Sequence, residues 1–107
     1  MDDLTNAEKK LISSLYKFYL EKQPALSPAK ANRFGNSTNL ISDLSLDLDI
    51  DESSDLCWSL FRAGYIECTP GDNLACNIKL TGKTIIYFEN KFKNGIMDVV
   101  KFISSFR

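Results

Sequence analysis

The strongest constraint on the fold is a short punctuation, Pro70-Gly71-Asp72-Asn73, between two β-prone runs. Proline presets one turn dihedral, and Gly, Asp and Asn tolerate the left-handed backbone that a tight reversal needs. The flanking runs, Tyr65 to Thr69 and Leu74 to Leu80, therefore predict an antiparallel hairpin. Most of what surrounds it carries helical spacing. The expected class is α+β and mostly helical, with one small hairpin.

Thr5-x-x-Glu8 is a capping box, in which a hydroxyl and a carboxylate satisfy the first free amides of a helix. Ala7, Leu11, Leu15 and Phe18 follow at helical spacing, with Ile12 and Tyr19 widening the stripe. Pro24 ends this first helix, because the residue before a proline resists helical dihedrals. Residues 25–50 read as loop and short elements, with one helical turn expected at Ser27 to Phe34. Within them Leu44, Leu46, Leu48 and Ile50 alternate with Ser45, Asp47, Asp49 and Asp51, the period of a half-buried strand. Asp is a poor strand former, however, and Asn39 to Leu46 reads equally as a short helix.

Asp49-x-x-Glu52 starts the next helix, with Asp51 as a competing cap. Leu56, Cys57, Leu60 and Phe61 give it a core face, and Gly64 suits the left-handed residue that closes it. After the hairpin, Thr81 caps a helix with apolar Ile85, Phe88 and Phe92, and Asn94-Gly95 interrupts it. The last segment, 94–107, is apolar on more than one side. Such a helix has to be covered. A second copy packing on Ile96, Val99, Val100, Phe102, Ile103 and Phe106 is one expectation, and internal packing is the other.

A chain of 107 residues that is 44% hydrophobic and 25% charged reads as one globular domain, 1–107. It has no histidine, which removes the commonest general base and the commonest metal ligand together. Cys57, Cys68 and Cys76 form no C-x-x-C pair. An odd thiol count suits a reducing compartment, although Cys68 and Cys76 would face each other across a hairpin whose loop has an odd length. The first residues hold no apolar stretch, no run approaches a membrane span, and the expected location is the cytoplasm. Gly82-Lys83-Thr84 imitates the end of a phosphate-binding loop, but Asn77 stands where its first glycine belongs. Asp47-x-Asp49-x-Asp51 imitates a calcium loop, with Glu52 and Trp58 where Gly and Glu are needed. No catalytic, cofactor or metal residue is expected.

Leu60-Phe-Arg-Ala-Gly-Tyr-Ile66, then a turn-centred hairpin, then Ile78-Lys-Leu-Thr-Gly-Lys83, resembles the winged-helix superfamily. The likeness covers Asp51 to about Lys93. It departs at one point: the glycine is Gly82, directly after Thr81, and Thr84 takes the usual glycine position. The resemblance implies a three-helix core with a β-wing and C-terminal helices. It also implies that the helix from Asp51 to Ala63 would be the one that reads DNA.

The charge map opposes that role. Residues 43–72 hold one basic and eight acidic side chains, a balance of −7 in a chain whose net charge is −1. DNA binding draws on cations that neutralise phosphates. If Leu56, Cys57, Leu60 and Phe61 face inward, Asp51, Asp55, Trp58, Ser59 and Arg62 face outward, flanked by Asp47 and Asp49. Trp and Arg are common interface anchors, and an acidic surround attracts a basic partner. The bland alternative packs Trp58 under the first helix or the wing. The expected function is a non-catalytic interaction module, an adaptor, inhibitor or immunity-type protein, whose acidic face meets a basic protein. The alternative is a DNA-binding transcriptional regulator that uses another face, through Lys9, Lys10 and Lys17 or through Lys79, Lys83, Lys91 and Lys93.

Overall fold

The computed structural model describes residues 1–106. Its elements, in order, are helices α1 (Asn6–Glu21), α2 (Pro28–Ala31), α3 (Ser37–Asp43) and α4 (Ile50–Arg62), strands β1 (Ile66–Gly71) and β2 (Leu74–Leu80), and helices α5 (Gly82–Lys91) and α6 (Ile96–Ser104). The fold is α+β and mostly helical, with an antiparallel hairpin.

The Thr5 capping box is present in full: Glu8 N–H donates to the Thr5 hydroxyl at 3.2 Å, and Thr5 N–H donates to the Glu8 carboxylate at 2.8 Å. From there Leu11, Ile12, Leu15, Tyr16 and Tyr19 lie buried along α1, while Ala7 is exposed. Tyr16 starts an aromatic column that ties α1 to the C-terminal helices. Its ring stacks on Phe88 with centroids 4.9 Å apart, Phe88 stacks on Phe92 at 5.3 Å, and Phe92 meets Phe102 at 5.3 Å.

The stretch read as ambiguous resolves as helix followed by irregular chain. Asn36 and Asn39 cap the start of α3 reciprocally, each side-chain carbonyl accepting from the other's backbone N–H, at 2.9 and 3.0 Å. After Asp43 the chain turns through Ser45, whose φ is +52°, and Leu46 N–H donates to Ile41 at 2.9 Å. No strand forms over 44–50, because this segment folds back on α3 and no ladder partner lies beside it. Leu44, Leu46 and Leu48 are half-buried.

The hairpin reverses through Asp72 and Asn73, with φ of +50° and +63°, the sign that a two-residue twisted turn requires. The ladder pairs Glu67 with Lys79 and Thr69 with Cys76, and slips by one residue between them, where Asn77 also takes a positive φ. Alternation along β1 then places Ile66 and Cys68 on the inner face and Glu67 and Thr69 on the outer. Cys76, paired with Thr69, belongs to the outer face, so the two-residue turn and the bulge separate it from Cys68. All three cysteines are free thiols.

The second edge of β2 is not left open. Phe34 N–H donates to Ile78 at 3.1 Å and Ile78 N–H donates to Gly35 at 2.9 Å. The Asn32 amide extends the ladder with two bonds to the Leu80 backbone, at 3.0 and 2.7 Å. Lys22 secures this strap from α1. Its ammonium donates to the carbonyls of Ala31 and Arg33, at 3.2 and 2.9 Å, and lies over the rings of Phe18 and Phe34 at 4.3 and 4.5 Å. Burial pulls its pKa down. The connection between α1 and α3 thus reaches across the molecule to the hairpin.

Candidate functional site

Helix α4 begins at Asp49, whose carboxylate accepts from Glu52 N–H at 2.8 Å; that bond lowers its pKa. Ser53, Ser54, Cys57 and Leu60 are buried against the core. Burial pushes the Cys57 thiol up to about 12, so it stays protonated and inert. Gly64, at φ +85°, closes the helix as its sequence position suggested. The Ser53 hydroxyl donates to the Ser37 carbonyl at 2.7 Å, which fixes α3 against α4.

Asp51, Asp55, Trp58 and Arg62 fall four, three and four residues apart and so share one stripe of α4. Asp51, Asp55 and Arg62 are exposed, as are the flanking Asp47 and Asp49. The ion pairs among the described residues are Lys17–Glu21 and Lys79–Glu67, both remote from this stripe. Its carboxylates are exposed to water and form no ion pair, Arg62 of the same stripe included. Trp58 is half-buried. One side of the indole packs on the core, and its ring stands edge-on to Phe61 at 5.6 Å.

Two expectations about this helix need correction. Ser59 does not belong to the outward stripe: it turns toward α1 and donates to the second oxygen of Glu8. The cause is helical phase, which puts Ser59 on the flank that α1 covers. Glu8 is thus held from both sides, by Ser59 and by its own cap, and these bonds lower its pKa. Phe61, read as a core residue, is 42% exposed: the last turn of α4 meets the core through Leu60, and the Phe61 ring stands edge-on to Trp58 instead. Periodicity gave no warning of this, since Phe61 follows the buried Cys57 by four residues and so shares its face.

The residues of the final segment divide. Val99 is fully buried, and Phe102 and Phe106 pack on one another at 4.9 Å as the end of the aromatic column. Val99 and Phe102 cover the chain's own core, as does Ile103, and are not an outward contact surface, while the Phe106 ring stands on Phe102. Ile96 and Val100 are exposed, Ile103 is half-buried, and Met97, absent from the expected set, is the most exposed of the group at 68%.

The lysines that would serve another DNA face are largely engaged. Lys17 pairs with Glu21 at 3.1 Å and Lys79 with Glu67 at 3.2 Å. Lys83 donates to the Ala63 carbonyl at 3.3 Å and covers the Tyr65 ring, while Lys91 lies over Phe102 at 4.8 Å. Lys10 and Lys93 are exposed, and Lys9 is half-buried. Among the described residues no group of three His, Cys, Asp or Glu is placed to hold a metal ion, and no helix is long and apolar enough to cross a membrane. Neither a protein-family model, nor a curated protein, nor a solved structure matches the chain.

Proposed function

We propose that this chain is a non-catalytic interaction module of winged-helix type, and that the α4 stripe Asp51, Asp55, Trp58 and Arg62 meets a basic surface on a partner protein. The observation that carries the reading is the stripe itself: exposed carboxylates that form no ion pair, beside a half-exposed indole. Uncompensated carboxylates speed encounter with a cationic partner, and an aromatic at the edge of such a patch supplies the desolvated anchor. The element order supports the winged-helix part: α1, a strap on the edge of β2, α3, α4, then the hairpin.

That same order favours a second reading, a DNA-binding regulator, which the acidity of α4 opposes. The two separate cleanly. A one-to-one complex isolated from native cells, lost on Trp58→Ala and weakened by Asp55→Asn while both variants keep the native circular dichroism, is the expected result. A folded Trp58→Ala protein that keeps its partner unchanged overturns it. Micromolar duplex binding that weakens steeply with added salt favours the regulator.

A further inference from the structure

A shallow cleft of about 670 Å³, largely open to solvent, lies between α3 and the start of α4. Its apolar surface comes from Ile41, Leu48 and Ile50, its rim carries Asp49 and Asp51, and no lysine or arginine lines it. Ile50 is 51% exposed although it occupies the first turn of a helix, where a β-branched apolar side chain brings no advantage to helix formation. Trp58 lies two turns beyond Ile50 on α4; Ser54 between them is buried, and the exposed Asp51 and Asp55 bridge the interval from the cleft to the indole. Eight residues separate Ile50 from Trp58, a rise of about 12 Å.

We infer that this cleft seats an apolar side chain carried by a lysine- or arginine-rich segment of the partner protein, which then runs along α4 to Trp58. The inference rests on the reading of α4 as the partner surface. Charge complementarity selects the occupant. Rim carboxylates repel nucleic acid and acidic peptides, and a neutral apolar molecule leaves those carboxylates unanswered. A cationic segment with apolar side chains about two helical turns apart satisfies the floor, the rim and the indole together.

Trp58 is the only tryptophan, so its emission reports binding directly. Two synthetic helical peptides of equal length and equal lysine content are titrated against the full chain, one with leucine at its apolar positions and one with alanine. The leucine peptide is expected to bind about ten-fold tighter, equivalent to about 1.4 kcal/mol. Ile50→Asn is expected to abolish that difference and leave the alanine peptide's affinity unchanged. Ile50 is half-exposed, so the variant should keep the native melt; Leu48→Asn, at a second lining residue, gives an independent check. Equal binding of the two peptides to the native chain overturns the cleft while the acidic-face reading stands. If neither peptide binds at low salt, both readings fail.

Discussion

Glu8 shows how one side chain links the start of the chain to the helix that carries the candidate site. It is 7% exposed, accepts from Thr5 N–H as part of its own helix cap, and accepts from the Ser59 hydroxyl of α4. All of these bonds favour the charged form, and its pKa falls below the usual 4.5, with the Ser59 hydroxyl as the largest cause. A carboxyl whose folded pKa is depressed contributes stability above its unfolded pKa and loses it as pH falls through the folded value. The contribution of Glu8 is therefore complete at neutral pH and declines below about pH 4.5. Ser59→Ala is expected to cost about 1 kcal/mol at pH 7, the loss of one charge-assisted bond at a covered site. Glu8→Gln should flatten the fall in stability with acid. Urea unfolding at pH 7 and at pH 3.5 checks both. Equal losses at the two pH values for Ser59→Ala would mean that the carboxylate is not its partner.

At the scale of elements, the sequence disclosed those features that are settled within a few residues. The Thr5–Glu8 box, the Asp49 cap, the Asp72-Asn73 reversal and the closing Gly64 each depend on local hydrogen bonding or on one dihedral sign. The strap was not legible, because Phe34 and Ile78 are far apart in sequence and only the folded chain brings their backbones together. Alternating leucines over 44–50 imitated a strand for the same reason: period alone does not supply a neighbour. The site was partly legible. Spacing placed Asp51, Asp55, Trp58 and Arg62 on one stripe, yet it could not show that α1 covers Ser59. A pair of glycines tests the local rules. Gly64 sits at φ +85°, and an added Cβ would come 3.0 Å from the Lys83 ammonium, whereas Gly82 has a φ open to any residue and empty space around it. Gly64→Ala is expected to lose about 1 kcal/mol through the left-handed backbone. Gly82→Ala, at the start of α5, should be neutral or gain a few tenths of a kcal/mol. Thermal melts distinguish them, with a drop of about 5 °C for the first and none for the second.

For the molecule as a whole, shape and charge point in different directions. The strap on β2 holds the hairpin against the core, and α4 buries one face and exposes Asp51, Asp55 and Arg62 on the other. On the proposed winged-helix reading α4 would be the helix to enter a duplex groove; the surface opposes that, since the segment 43–72 carries a balance of −7. If charge alone keeps DNA away, altering it should be enough. Asp51→Lys with Asp55→Lys adds four units of charge and takes the net from −1 to +3 while leaving the buried face of α4 intact. The Lys at position 51 sits in the first turn and works against the helix dipole, at about 0.5 kcal/mol, which a folded domain tolerates. The unaltered chain is expected to leave a short duplex unretarded at low salt. The double variant should retard it, and the retardation should vanish as salt is raised, because its source is counterion release. Retardation by the unaltered chain would mean that its lysines already form a duplex-binding surface. A folded double variant that still ignores DNA would mean that α4 does not project as a reading helix must, and the shape part of the argument would fall with it.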